Sequence, residues 1–247
     1  MAAFWRLIDQ SHDHVSMTQK DNAPEGSGFS VVIDNDARLL VKAAHTASGL
    51  YLYFEATDNR FVDVADPDIY EHFDAVDALL DSRSAEAIGA GDRESTFVNV
   101  HWGISLTSSQ YQVACGDTSR PAQVKRNVAD PWDMRYELID LTELARRHGM
   151  RVDCAAVDRY RVAQEWFIPW GEVGNGGMEG EPAMGTRLGF APGYNDRDPG
   201  EYLASGGHDQ LRWVDRSSPW GHDPQKSTPP FGWGDIEIGP FLGAGTE

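Results

Sequence analysis

Short stretches with alternating hydrophobic and polar residues cover much of the sequence, and clusters of turn-forming residues separate them. Between Leu50 and Thr57, for example, Tyr51, Tyr53 and Glu55 alternate with more apolar neighbours. This period of two is typical of half-buried β-strands. The pattern predicts strands over 29–33, 39–44, 50–57, 76–80, 96–106, 111–114, 152–157, 160–168, 187–190, 210–214 and 236–238.

One segment, Leu141 to His148, predicts a helix instead. Asp140 suits the N-cap, Glu143 follows three residues later as in a capping box, and Gly149 provides a left-handed stop. About ten short strands with one short helix indicate an all-β fold. We expect a two-sheet antiparallel β-sandwich, immunoglobulin-like or jelly-roll-like. Strands and helices do not alternate, so a doubly wound α/β fold is not expected.

The chain divides into two unequal parts. Residues 1–28 are polar and irregular and are predicted to form an N-terminal arm, whereas residues 29–247 are predicted to form the sandwich. A hydrophobic fraction of 40% is enough for a core. No run of about 18 apolar residues is present, which argues against a membrane span. No basic segment precedes an apolar stretch at the start, so no signal peptide is visible.

The charge balance narrows the range of partners. The 39 acidic and 21 basic residues give a formal net charge of −18. Binding of nucleic acid requires clustered basic residues that displace counterions, and an anionic membrane would repel such a chain. We therefore expect neither nucleic acid nor a membrane as a partner. Neutral molecules and cations are compatible with this charge.

An acidic cluster suggests a cation site. Eight carboxylates lie within one stretch: Asp58, Asp63, Asp66, Asp68, Glu71, Asp74, Asp77 and Asp81. Calcium takes six to eight oxygen ligands, so this stretch predicts a calcium site, with Asp58, Asp66 and Asp81 as ligands. The spacing is not that of an EF-hand. The alternative is that these are solvated, turn-forming residues.

The eight tryptophans suggest a second kind of chemistry. Aromatic rings pack against the flat C–H faces of sugars, while carboxylates and amides bind the hydroxyl groups. Trp220 and Tyr70 lie in predicted loops, whereas Trp102 and Trp166 alternate with strand neighbours and are expected in the core. The eight histidines are scattered and form no metal-binding motif.

The sequence has two cysteines, Cys115 and Cys154. Two cysteines alone do not form a zinc site. They could form a disulfide or remain as buried free thiols, and we favour free thiols.

Six motifs in order resemble the family 9 carbohydrate-binding modules. They are LYLYFEATDNRFV, FDAVDALLD, EWFIPWGEVG, GTRLGFAPGYNDRD, LRWV and FGWGDIEI, and the resemblance runs roughly from Leu39 to Ile238. It implies a β-sandwich that binds a neutral mono- or oligosaccharide, often with calcium. It also implies a role beside polysaccharide-degrading enzymes and a secreted or periplasmic location, although the missing signal leaves a cytoplasmic location open.

The resemblance also implies a set of sugar-binding residues. In the family an aromatic clamp holds the sugar, and acidic and amide groups bind its hydroxyls. The matching positions here are Tyr70 and Trp213 or Trp220 for the clamp, with Asp77 and Asn195 for the hydroxyls. Asp77 stands where the family has Glu, and Tyr70 is one residue from the clamp position.

Two alternatives belong to other functional classes. A sugar-active hydrolase or lyase could use carboxylates among Asp74, Asp77 and Glu165, if these face one sheet surface. A haem-b electron-transfer domain would need an axial methionine, and Met17, Met134, Met178 and Met184 are available, but no convincing ligand pair is visible. We favour a binding module over an enzyme and regard haem as the weakest alternative.

Overall fold

The computed structural model is built almost entirely of strands. It describes residues 3–4, 6–8, 17–18, 29–32, 38–58, 74–84, 97–99, 104–105, 107–114, 122–129, 134–196, 209–212 and 234–239. In chain order the strands are β1 (Ala3–Phe4), β2 (Arg6–Ile8), β3 (Met17–Thr18), β4 (Phe29–Val32), β5 (Arg38–Thr46), β6 (Gly49–Thr57), β7 (Ala75–Asp81), β8 (Phe97–Asn99), β9 (Ile104–Ser105), β10 (Ser108–Ala114), β11 (Gln123–Ala129), β12 (Met134–Asp140), β13 (Arg151–Asp158), β14 (Arg161–Pro169), β15 (Arg187–Asp196), β16 (Asp209–Arg212) and β17 (Gly234–Glu237).

These strands form two main antiparallel sheets, which confirms the predicted fold class. The front sheet has the order β13-β14-β6-β5-β4-β3, with β1 beside β5. The back sheet has the order β12-β11-β10-β7-β15-β17-β2, with β16 beside β15. Strands β8 and β9 pair with each other as a separate two-stranded sheet.

One hydrophobic core lies between the two main sheets. On β6 the alternate residues Leu52 and Phe54 point into it, and on β7 Val76 and Leu80 do the same. Trp166 of β14 is 1% exposed and packs on Phe54 with ring centroids 4.7 Å apart. The prediction that Trp166 belongs to the core is confirmed, while Trp102 lies outside the described residues.

The helix α1 (Leu141–His148) connects the two sheets. The Asp140 carboxylate accepts a hydrogen bond of 2.8 Å from the backbone N–H of Glu143, and Gly149 ends the helix with φ 64°. The predicted helix and both its caps are therefore confirmed. Among the described residues, no helix combines the length and hydropathy that crossing a membrane requires.

Several segments differ from the sequence prediction, and β10 and β15, for example, are longer than predicted. Strands β11 and β12 were not predicted, because polar and charged residues interrupt the apolar alternation in QVKRNVA and MRYELID. The single strand predicted over 96–106 is instead two short strands, β8 and β9, that pair with each other. Within the predicted N-terminal arm, β1 pairs with β5, β2 with β17 and β3 with β4, so parts of this stretch belong to the sheets.

Cys154 takes part in a disulfide, so the preference for free thiols was wrong. The other cysteine in the sequence, Cys115, comes directly after Ala114 at the end of β10 in the back sheet. Gln164 of β14 is the register partner of Cys154, and it donates a 3.2 Å hydrogen bond to the backbone oxygen of Val113 in β10. The two sheets therefore approach closely beside Cys154, which is the condition that a disulfide between the sheets requires.

Candidate functional site

The back sheet has a second buried face, opposite the core. On β7, Val76 and Leu80 contribute to the core, so Asp77 and Leu79 lie on the outer face because side chains alternate along a strand. Every residue of β7 is nevertheless buried. Polar side chains are therefore enclosed on a sheet face that does not belong to the hydrophobic core.

Three of these side chains form a continuous hydrogen-bonded row, which we call the polar ladder: Asp77, Gln110 and Asn127. The Asn127 side-chain N–H donates to Gln110 Oε1 at 2.8 Å. The Gln110 amide nitrogen in turn donates to the Asp77 carboxylate at 2.9 and 3.1 Å. All three are at most 2% exposed. The carboxylate thus anchors two amides across three neighbouring strands.

One polar atom of the ladder lacks a partner. Asn127 Oδ1 is buried and accepts no hydrogen bond in the described part of the chain. Leaving a buried carbonyl unpaired costs about 1–3 kcal/mol. Native proteins rarely leave such groups unpaired, so each one calls for an explanation, such as a functional role or a bound water. The ladder therefore ends in an acceptor that a ligand hydroxyl could satisfy.

The strand register relates other predicted sugar-binding residues to the ladder. Gly193 of β15 pairs with Asp77 on one side and with Arg212 on the other. Asn195 pairs with Ala75, two residues along β7 from Asp77. Trp213 follows Arg212 directly in the sequence, and Tyr70, Trp213 and Trp220 all lie outside the described residues. The backbone thus brings Asn195 close to Asp77, and the aromatic clamp stays a prediction.

Two of the predicted calcium ligands have protein partners. Asp58 is buried and accepts a 2.8 Å hydrogen bond from the Tyr194 hydroxyl. Asp81 accepts from the Arg83 guanidinium at 3.1 and 3.2 Å and from the Thr107 hydroxyl at 2.9 Å. A guanidinium supplies the positive charge that a cation would otherwise provide, so the surroundings of Asp81 do not fit a calcium ligand.

The described residues offer no ready cation cluster. Within them, no group of three or more His, Cys, Asp or Glu side chains is placed to hold a metal ion. Asp66, the third predicted ligand, lies outside the described ranges. The calcium site stays a prediction that depends on Asp58 and on residues beyond those described.

The carboxylates of the enzymatic alternative do not share one surface. Asp77 lies on the outer face of the back sheet, whereas Glu165 is exposed on the outer face of the front sheet, next to the core residue Trp166. Both sheets and the core lie between them, and packed sheets are about 10 Å apart. The condition that the enzymatic alternative placed on Asp74, Asp77 and Glu165 is therefore not met by Asp77 and Glu165.

The sequence analysis missed Gln110, Gln112 and Asn127. A signal for the two glutamines was present in SSQYQVA, where polar residues alternate with Tyr111 and Val113 of the core. Asn127 lay in the strand that was not predicted. Alternation shows that these polar residues share a face, but it does not show that they are buried or that Gln110 bonds to Asp77 and Asn127.

No protein-family model matches the sequence, and no curated protein matches it. Among solved structures, a family 9 carbohydrate-binding module from Caldicellulosiruptor kristjanssonii in complex with cellotriose is similar, at 13% identity over 81% of this chain and 83% of that chain, with a TM-score of 0.46. A complex of such a module from the same organism with glucose gives 14% identity over 83% and 78%, with a TM-score of 0.42. Both belong to the family that the sequence motifs resemble. At these identities the likeness does not identify the ligand of this chain, which has to be inferred from the chain's own residues.

Proposed function

We propose that the protein binds a neutral carbohydrate at the polar ladder. A sugar hydroxyl both donates and accepts hydrogen bonds, and the ladder combines a carboxylate acceptor, two amides and the unpaired Asn127 Oδ1. This unpaired oxygen is the observation that carries the proposal. Hydrogen bonds formed in a buried site are stronger because water does not compete for them.

The charge of the chain supports an uncharged ligand. A formal net charge of −18 repels anions, and the carboxylate of Asp77 is already paired with the Gln110 amide. The negative charge of the chain favours hydroxyl donors over anionic groups such as carboxylates and phosphates.

The proposal includes an aromatic clamp and a cellular setting. Tyr70 and Trp213 or Trp220 would hold the sugar ring, with Asn195 beside Asp77 on its hydroxyls. The family resemblance adds a role in a polysaccharide-degrading system outside the cytoplasm. The disulfide of Cys154 supports such a setting, because disulfides persist mainly in oxidising compartments.

Calorimetric titration with glucose, cellotriose and other neutral sugars tests the proposal. Asn127→Ala removes the unpaired acceptor and one amide donor, and we expect it to weaken sugar binding by about 1–3 kcal/mol. Gln164→Ala is a matched control, because Gln164 is a buried amide that bonds to Val113 and Trp166 away from the ladder. This control should lose stability and keep its affinity. Equal affinities for wild type and a folded Asn127→Ala would refute the site.

Calcium binding is a separate part of the proposal, centred on Asp58. A bound ion that prefers the folded state raises its stability in proportion to the logarithm of its concentration. We expect a chelator to lower the melting temperature of the wild type and to leave that of Asp58→Asn unchanged. Asp81→Asn is the comparison, because Asp81 is bonded to Arg83 and should leave the chelator effect intact. A wild-type melting temperature that does not change with calcium would contradict the calcium site.

A further inference from the structure

A hollow of about 460 Å³ opens on the outer face of the front sheet, on the opposite side of the molecule from the polar ladder. Three aromatic and four charged side chains line this aromatic hollow: Tyr51, Tyr53, Phe167, Lys42, Arg151, Asp153 and Glu165. They come from the four neighbouring strands β5, β6, β14 and β13. At about 4.8 Å between strands, the lining spans roughly 14 Å across the sheet.

The strand register explains how these residues meet. One row across the sheet pairs Ala44, Tyr51, Phe167 and Arg151. The next row on the same face pairs Lys42, Tyr53, Glu165 and Asp153. Ala44 has only a methyl group, so space remains beside the ring of Tyr51. The three rings are therefore neighbours on this face, and the charged side chains of Lys42, Arg151, Asp153 and Glu165 lie beside them.

The rings present an apolar floor with defined geometry. Tyr51 and Phe167 lie with their centroids 4.8 Å apart at an interplanar angle of 47°. The Arg151 guanidinium carbon is 4.8 Å from the Phe167 centroid, and Lys42 Nζ is 5.4 Å from that of Tyr53. The Arg151 and Lys42 side chains thus flank half-buried aromatic rings. Small-ligand sites are commonly lined by aromatic rings with a few polar groups beside them.

The four charged side chains of the hollow do not pair with each other. Within the described residues, none of them forms a hydrogen bond or an ion pair. Exposed charges elsewhere on the same sheet do pair, as Arg161 does with Asp158 at 2.8 Å. Two cations and two carboxylates therefore share one concave surface with their hydrogen-bonding capacity unused.

The charges select the class of ligand. Arg151 and Lys42 already occupy positions over the rings, so a cationic ligand would meet like charge where it needs an aromatic face. Asp153 and Glu165 repel an anion, and the net charge of −18 adds to this repulsion. The two positive and two negative groups balance. A neutral ligand with an apolar face and many hydroxyls meets all of these conditions.

We propose that the aromatic hollow is a second carbohydrate-binding site, which takes a neutral oligosaccharide that stacks on Tyr51, where no described cation covers the ring, and packs against the edge of its neighbour Phe167. Its hydroxyls accept hydrogen bonds from Arg151 and Lys42 and donate to Glu165 and Asp153. The site lies on the other outer face of the sandwich from the polar ladder and shares no residue with it. It therefore works whether or not the ladder binds sugar.

Backbone amide shifts in an NMR titration distinguish the two sites. We expect a panel of neutral trisaccharides, built from glucose, xylose, mannose or galactose, to include one that shifts amides of β6 and β14. Phe167→Ala should weaken this binding by about tenfold or more, as loss of an aromatic anchor does. Tyr160→Ala is the matched control, because Arg159 lies 4.5 Å from the Tyr160 centroid in a similar pair outside the hollow. The control should bind as the wild type does.

If Phe167→Ala does not fold, a second variant still tests the site. Glu165→Ala changes an exposed side chain, and we expect it to keep the melting temperature and to weaken binding severalfold. Gln110→Ala should abolish the sugar-induced amide shifts in β7 and β10 and leave those in β6 and β14. The NMR spectra therefore distinguish loss of binding at the polar ladder from loss of binding at the aromatic hollow. The second site is overturned if no trisaccharide at millimolar concentration shifts β6 or β14. It is also overturned if choline or a galacturonate trisaccharide binds there instead.

Discussion

Buried and exposed polar side chains in this protein differ in how completely their hydrogen bonds are satisfied. The carboxylate of Asp81 is fully engaged by Arg83 and Thr107, which suits a structural group. Asn127 Oδ1 is buried and unpaired, and Glu165 is exposed and unpaired within the described residues. A ligand gains most binding free energy where polar groups of a pocket lack protein partners, because the ligand can then form the missing hydrogen bonds.

Tyr53 provides a prediction about alkaline pH. Partial burial raises the pKa of its hydroxyl from the ordinary 10.0 to about 12, and its hydrogen bond to Glu55 and the charges of Glu55 and Glu165 add to this. A group with a raised pKa stabilises the fold fully below the pKa of the unfolded chain. The contribution of Tyr53 should therefore disappear as pH rises from about 10 to about 12.

Tyr53→Phe isolates this effect, because phenylalanine does not ionise. Between about pH 10 and pH 12 its free energy of unfolding should fall less than that of the wild type. Chemical denaturation at a series of pH values measures the difference. Tyr160→Phe, at an exposed position in the turn between β13 and β14, serves as the control. Parallel pH profiles for Tyr53→Phe and the wild type would contradict the raised pKa.

Among the secondary structure elements, strands with a clear apolar face were predicted and strands without one were not. β5, β6, β7, β13 and β14 match their predicted ranges within two residues. β11 carries Lys125, Arg126 and Asn127 in succession, so its sequence lacks a clean alternation. It is a strand because β10 and β12 hydrogen-bond to it on both sides. Pairing of this kind outweighs the weak strand preference of its own residues.

The helix provides a prediction at the level of one element. Asp140→Ala removes the side-chain oxygen that accepts from the Glu143 N–H, and we expect the free energy of unfolding to fall by about 1 kcal/mol. Urea denaturation measures the change. Asp140→Asn keeps an oxygen acceptor and loses the charge, so it should retain most of the stability. A stability for Asp140→Ala equal to that of the wild type would show that the cap is dispensable.

In the whole molecule, the two candidate sites lie on opposite outer faces of one cross-linked sandwich. The polar ladder belongs to the back sheet and the aromatic hollow to the front sheet. If both sites bind sugar, one chain engages two sugar segments. Such bivalent binding raises the apparent affinity for a polysaccharide above that for a short oligosaccharide.

The disulfide provides a prediction about the stability of the whole fold. Cys115 and Cys154 are 39 residues apart, and closing a loop of about this length contributes roughly 2–4 kcal/mol. Cys154→Ser should lower the free energy of unfolding by this amount, as measured in urea without reductant. A reductant should lower the stability of the wild type to that of the variant and leave the variant unchanged. No effect of reductant on the wild type would contradict the cross-link.

The sequence by itself determined the local features of this protein. Alternation with a period of two predicted most long strands, and Asp140 with Gly149 delimited the helix, because each of these signals lies within a few neighbouring residues. It also determined the net charge of −18, from which we expect no polyanionic partner.

The tertiary structure alone decided which distant residues meet. Asp77 and Gln110 are 33 residues apart and Gln110 and Asn127 are 17 apart, and only the order of β7, β10 and β11 in the back sheet joins them. The same holds for the disulfide of Cys154 and for the separation of Glu165 from Asp77. Alternation defines two faces for each strand, but sheet order and register depend on the packing of the whole chain, which no local pattern contains.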